Sequence, residues 1–287
     1  MGYLHIDNLY KNTDIMIFKE CYALEKIHGT SAHIGWKFET KELIFFSGGE
    51  KHQRFKDLFD EAKLKDLFLE KFPDYNVTIF GEAYGGSQQG MSHTYGKELK
   101  FIVFDVKIGD NWQEVPNAED ITKQFGLEFV DYHKVPTDLD SLNKERDLPS
   151  TQAKRNGIEG DKLREGVVLR PLIEVTTKNG SRVIVKHKAN EFMETKTPRE
   201  VDPAKLKMLE DAREIAEEWV TPMRLTHVLD KLENPTEIED TGKVIKTMIS
   251  DVYREAQGEI KTSREVTTYI GKKTAELYKK RISKLGP

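Results

Sequence analysis

Glu25-Lys26-Ile27-His28-Gly29-Thr30 is the stretch on which the reading of this chain turns. A lysine that is to act as a nucleophile must lose its proton, so it needs partial burial or neighbouring positive charge. A glycine three residues on lets the backbone turn tightly at that point. Alone, Lys-x-x-Gly is a weak signal. A second copy, Lys154-Arg155-Asn156-Gly157, stands in the same chain, and either one by itself reads as a surface lysine before a turn. The two copies differ in the segments downstream of each.

After Lys26 comes Phe80-Gly81-Glu82-Ala83-Tyr84-Gly85-Gly86, an acidic residue ending a strand at a glycine-rich turn. Phe101-Ile102-Val103-Phe104-Asp105-Val106 is next, a strand whose alternation puts Phe104 on one face with Ile102 and Val106. Glu165-Gly166-Val167-Val168-Leu169-Arg170-Pro171 comes third, and then Val183-Ile184-Val185-Lys186-His187-Lys188. A strand continuing through Lys188 aims Lys186 and Lys188 at the same face. Two cations pointing one way suit a triphosphate. A carboxylate such as Glu165 suits Mg²⁺, a hard cation that takes oxygen ligands and phosphate.

Around these blocks, from Cys21 to about Glu191, short alternating runs recur: Ala32–Phe38, Leu43–Phe46, Val77–Phe80, Phe101–Ile108, Gly166–Arg170 and Arg182–Lys186. Asn179-Gly180, between Leu172–Thr177 and Arg182–Lys186, reads as a hairpin turn. A helix is expected over Gln53–Phe72, with Phe55, Leu58, Phe59, Ala62, Leu69 and Phe72 as its apolar stripe; Leu67 and Phe68 fit it less well, which points to a break or bend. Near residue 200 the texture changes. Asp202-Pro203 and Thr221-Pro222 are helix starts, and Thr262 with Glu265 forms a capping box. Leu206, Leu209, Ile215 and Trp219 fall at helical spacing. The expected fold is α+β: a largely antiparallel β domain over residues 1–198, then a small all-helical domain over 199–287.

The five blocks, in this order, resemble motifs I, III, IIIa, IV and V of the covalent nucleotidyltransferases, the superfamily of DNA ligases, RNA ligases and mRNA capping enzymes. The resemblance covers about residues 20–190. The second Lys-x-x-Gly sits just before motif IV, with no room for the intervening motifs, and is discarded as nucleophile. DNA ligases and capping enzymes typically place Asp before the motif I glycine; here it is His28. That is similar to RNA ligases of the phage double-strand-type and kinetoplastid RNA-editing branch, which can carry a helical C-terminal domain in place of a β-barrel OB domain.

The resemblance implies an ATP-dependent RNA ligase using Mg²⁺ or Mn²⁺. Lys26 takes AMP from ATP, an RNA 5′-phosphate receives it, and an RNA 3′-OH expels it; a nicked duplex is one candidate substrate. Phe104 would stack on adenine and Glu82 contact the ribose, with Glu25 and Ile27 bordering the nucleotide. Lys186 and Lys188 would contact phosphates, Glu165 the metal, and His28 would stand beside the nucleophile. One departure is that motif Ia usually carries Arg, whereas Phe45-Phe46-Ser47-Gly48-Gly49-Glu50 has none; Arg54 is the candidate substitute. The alternatives are a DNA ligase or capping guanylyltransferase of the same superfamily, or a non-catalytic RNA-binding protein on a decayed ligase scaffold. Intact Lys26, Glu165, Lys186 and Lys188 weigh against the last.

Composition narrows the rest. Lys+Arg is 45 against Asp+Glu 49, a formal net charge of −4, so any nucleic-acid site is a local patch or groove. Lys279, Lys280, Arg281 and Lys284 form a basic cluster that reads equally as a solvated helix end complementing the dipole or as an RNA phosphate contact. A single cysteine, Cys21, permits no intramolecular disulfide, and no apolar run approaches the roughly 20 residues that span a bilayer. A soluble, cytoplasmic protein is expected, with no protein partner evident. The eight histidines show no His-x-x-x-His spacing, which argues against a zinc site.

Overall fold

Alternating apolar residues over the first two-thirds of the chain pair into two five-stranded sheets in a computed structural model that describes residues 2–177, 180–193 and 200–284. The strands are β1 (Asp7–Asn8), β2 (Glu20–Glu25), β3 (Thr30–Lys37), β4 (Glu42–Ser47), β5 (Val77–Gly85), β6 (Leu99–Ile108), β7 (Asn111–Trp112), β8 (Tyr132–Pro136), β9 (Gly166–Pro171) and β10 (Val185–Lys188). One sheet runs β1-β10-β9-β2-β8 and the other β4-β3-β5-β6-β7. Among the described residues, every pairing between these strands is antiparallel except β1 with β10. The chain divides into two compact units, Met1–Arg199 and Glu200–Pro287, and both sheets lie in the first.

Register sorts the second sheet into two faces. Ile34 opposite Ile79 and Trp36 opposite Val77 form one face, buried with Phe55, Leu64 and Phe68. Trp36 stacks on Phe68 with centroids 5.6 Å apart and donates its indole N–H to the Phe72 carbonyl at 3.1 Å. Each such side chain contributes about 1.5–3 kcal/mol by leaving water. Ser31 opposite Glu82 and His33 opposite Phe80 form the other face.

The Gln53–Phe72 segment is two helices, His52–Lys56 and Glu61–Lys71. The break falls at Asp60, whose carboxylate accepts the Lys63 N–H at 3.0 Å and caps the second helix. That restart shifts the phase of the apolar stripe. Leu64 and Phe68 are buried, whereas Leu58 and Ala62 are exposed. At the expected hairpin, Asn179 lies outside the described residues. The flanking bonds, Thr177 N–H to the Ser181 carbonyl and Val183 N–H to the Val175 carbonyl, run antiparallel.

The second unit contains helices Pro203–Trp219, Pro222–Asp230, Thr241–Glu255 and Arg264–Ile282, and no strand among the described residues. Asp202 and Thr221 cap their helices, accepting from Ala204 and Arg224. The last helix starts one residue later than the Thr262–Glu265 pattern suggested. Ser263 is its cap, accepting the Val266 N–H at 3.1 Å, which leaves Glu265 too early to complete a capping box. Among the described residues, no helix is long and apolar enough to cross a membrane.

Candidate active site

Lys26 sits just past the end of β2, where the chain crosses from one sheet to the other. The backbone there is held on both sides. The Glu25 N–H reaches the Asp131 carbonyl at 2.8 Å and the Lys26 N–H reaches the Gly166 carbonyl at 3.0 Å. The His28 N–H reaches the Tyr95 hydroxyl at 3.3 Å, and the Gly29 N–H reaches Glu82 Oε1 at 3.1 Å. Gly29 is required for close approach: a Cβ there would stand 2.4 Å from the Ala83 carbonyl oxygen. Gly166, at φ +140°, passes so near β10 that a Cβ would lie 2.1 Å from the His187 carbonyl oxygen.

Glu165 organises the polar centre. Its side chain is 1% exposed and takes Lys26 Nζ on Oε2 at 2.8 Å, His28 Nδ1 on Oε2 at 3.0 Å and Lys188 Nζ on Oε1 at 2.9 Å. Burial pushes its carboxyl up, but the His28 hydrogen bond and the Lys26 and Lys188 charges outweigh that and hold it at about 2. Glu82 shows the opposite balance. Burial raises its carboxyl to about 7, the nearby Glu165 charge adds to the rise, and Lys26 draws it back only in part.

Beside this centre lies a cavity of about 400 Å³ between the two sheets. Glu25, Lys26, Ile27, Glu82, Phe104 and Lys186 all line it. Lys186 and Lys188 share a strand face by alternation, since β10 continues to Lys188. The Glu25 carboxylate, however, is taken up by protein groups: the Ser150 hydroxyl, the Thr151 N–H at 3.0 Å and the Gln152 N–H at 3.2 Å.

Phe104 reaches the cavity by a route that simple alternation misses. The β5–β6 register shifts between Phe80 and Gly81: Phe80 opposes Asp105 and Gly81 opposes Val103, so Phe104 is the extra residue of a β-bulge. Ile102 therefore shares the cleft face with Asp105, while Val106 turns to the opposite face with Ile79. Below Phe104, buried Asp105 pairs with Arg170 at 3.0 Å and Arg182 at 2.6 Å, and Arg170 also binds Glu174. Tyr3 donates its hydroxyl to Asp105 at 2.6 Å and sets its ring edge-on to Phe104 at 4.9 Å.

Several residues here carry no signal in the sequence. Tyr3, Leu4, His5 and Ile6 line the cavity from a segment with no periodic pattern. Ser31 and Arg170 line it from next to motif I and within motif IV, without an expected role. Arg54 is 49% exposed, pairs with Glu50 at 3.2 Å and does not line the cavity. Lys154 is 58% exposed and pairs with Asp161 at 3.3 Å, a surface lysine by a turn.

The donor set bears on a metal. Among the described residues, no three His, Cys, Asp or Glu side chains converge as a metal cage. Both Glu165 oxygens already carry cationic partners. A divalent ion at this centre would have at most one Glu165 oxygen to bind beside these cations and would take its remaining ligands from phosphate oxygens.

The fold resembles solved structures of a Naegleria gruberi RNA ligase. An unliganded mutant aligns at TM-score 0.50 and 16% identity, over 67% of this chain and 56% of that one. Its complex with PPi aligns at 0.50 and 16%, over 68% and 57%. A mutant with ATP and Mn aligns at 0.51 and 15%, over 68% and 57%. The chain thus spans little more than half the length of these neighbours. No curated protein matches it. Residues 19–188, which contain both sheets' central strands and the Lys26–Glu165–Lys188 centre, match the sequence model of the RNA ligase family, and the chain belongs to that family.

Proposed function

We propose that this protein is an ATP-dependent RNA ligase working through a lysyl-AMP intermediate on Lys26, of the phage double-strand-type and kinetoplastid branch. The observation that carries the reading is the Glu165 carboxylate gathering Lys26, His28 and Lys188 at the edge of a cavity lined by Phe104 and Lys186. A nucleophilic nitrogen, phosphate-binding cations and an aromatic platform thereby meet in one site. The helical second unit supports the RNA-ligase branch over DNA ligases and capping enzymes, which carry a β-barrel after motif V.

In this mechanism ATP enters with adenine against Phe104 and ribose toward Glu82, bordered by Ile27 and Glu25. Lys26 Nζ, having given up its proton to solvent, attacks the α-phosphorus as the free amine; a P–N bond forms as the bond to the β-phosphate oxygen breaks, and pyrophosphate leaves. Lys186 and Lys188 stabilise charge on the phosphates, a preorganised electrostatic role. Glu165 holds Lys26 and His28 in place before attack. Mg²⁺ or Mn²⁺, held by phosphate oxygens with Glu165, would offset further phosphate charge. AMP then passes to an RNA 5′-phosphate, and an RNA 3′-OH attacks that phosphate and expels AMP. The second unit, with Lys279, Lys280, Arg281 and Lys284, would engage RNA.

The test incubates the protein with ATP, divalent metal and 5′-phosphorylated RNA, as matched nicked duplex and single strands. Joined RNA, dependent on ATP and on Lys26, is the expected product. Exclusive use of GTP or of DNA ends would overturn the assignment.

A further inference from the structure

The discarded second Lys-x-x-Gly motif lies in a segment that touches the nucleophile loop directly at one end and reaches it through Tyr95 at the other. At the near end, Glu25 is 2% exposed and precedes Lys26 directly. Its carboxylate has three protein donors, all from Ser150, Thr151 and Gln152. At the far end, Asn156 of the motif donates to the Tyr95 carbonyl at 2.9 Å, and the Tyr95 hydroxyl accepts the His28 N–H at 3.3 Å. Between them, Gln152 donates to the Tyr84 hydroxyl at 2.8 Å, and the Tyr84 ring meets Tyr95 edge-on at 5.3 Å. Lys100 in turn donates to Asn156 at 2.8 Å. The path runs through buried or half-buried groups joined by hydrogen bonds and one edge-on ring contact, so it transmits position with little slack.

We propose that Ser150–Asn156 is a positioning brace that fixes the attack geometry of Lys26, gripping Glu25 on one side of the nucleophile and the His28 backbone, through Tyr95, on the other. This rests on the ligase reading above. The residues of the brace do not react; they act through the loop they hold. A buried carboxylate with three converging donors has one well-defined seat. Moving it moves the residue whose Nζ must meet the α-phosphorus in line, and displacement by about 1 Å costs on the order of a hundredfold in rate. Base and phosphate contacts made by Phe104, Lys186 and Lys188 come from other strands, so ATP affinity is expected to survive.

The experiment measures single-turnover AMP labelling of Lys26 across ATP concentrations in the full chain, for wild type, Ser150→Ala, Glu25→Gln, Tyr95→Phe and Ser150→Thr. In parallel it measures sealing of pre-adenylylated RNA, a step in which Lys26 is not the nucleophile. Ser150→Ala and Glu25→Gln should slow labelling at saturating ATP on the order of ten- to a hundredfold. For Ser150→Ala, whose side chain does not line the cavity, half-saturating ATP should stay within about twofold. Tyr95→Phe should show the same split in smaller degree, and it serves if Glu25→Gln does not fold. Ser150→Thr, which keeps the hydroxyl, should recover most of the rate, and sealing of pre-adenylylated RNA should stay near wild type in the Ser150 and Tyr95 variants. Wild-type labelling in Ser150→Ala and Tyr95→Phe would overturn the brace and leave the ligase reading standing. So would a loss shared equally by ATP affinity and sealing. An unlabelled wild-type protein would overturn both.

Discussion

Replacing Glu165 with glutamine removes the one ionised group that Lys26, His28 and Lys188 share. The amide keeps the volume but neither the charge nor two free acceptors. The magnitude comes from the carboxyl itself, held at about 2 against an ordinary 4.5. At about 1.4 kcal/mol per unit this is roughly 3 kcal/mol of stability at neutral pH. The sign is set by direction. A depressed carboxyl stabilises the fold above its unfolded value of about 4.5, and the contribution fades as pH falls toward 2. Chemical denaturation of wild type and Glu165→Gln at pH 7 should therefore differ by about 3 kcal/mol, narrowing to about half that near pH 3. The variant should also lose AMP labelling by on the order of a hundredfold or more, since the group that holds Lys26 in place for attack is gone. Equal stability of the two proteins at pH 7, or a gap that widens on acidification, would refute the idea that the ionised carboxylate ties these cations together.

Phe104→Ala should weaken ATP binding by roughly 1–3 kcal/mol with little change in the labelling rate at saturation, as loss of a stacking platform predicts; titration calorimetry checks this. Glu82, raised to about 7 by burial, should make the fold less stable as pH rises from about 5 to 7, at a cost of at most about 3 kcal/mol. Glu82→Gln, which retains an acceptor for the Gly29 N–H, should flatten that dependence in denaturant titrations. A fragment ending at Pro198 should still take up AMP on Lys26 but lose most transfer to RNA; full-length RNA binding should fall with salt more steeply than the fragment's. Labelling and RNA-binding assays on both proteins read this out.

The sheets are legible in the sequence because their strands alternate and are cut by glycine and turn residues, as in Thr30–Lys37 and Val77–Gly85. The helical second unit is legible from Asp202 and Thr221, whose side chains do cap helices. Two kinds of feature escape. A bulge is invisible to a period-2 reading, because the extra residue shows only against its partner strand. Alternation therefore gives Phe104 the right place with one right face-mate, Ile102, and one wrong one, Val106. Contacts between distant, non-periodic segments also escape. Tyr3 meets Phe104 and Asp105 across about a hundred residues, and Ser150 meets Glu25, with nothing in either local sequence to announce it. Glu25 marks the boundary: its motif puts it beside Lys26, but only the fold reveals where its carboxylate goes.

The central claim is that Lys26 carries AMP. Incubation with ATP and a divalent ion, with peptide mapping by mass spectrometry, tests it most directly. The account predicts one added AMP on the peptide containing Lys26, discharged by RNA bearing a 5′-phosphate and absent in Lys26→Ala. AMP found on Lys154, or undiminished labelling of Lys26→Ala, would contradict it.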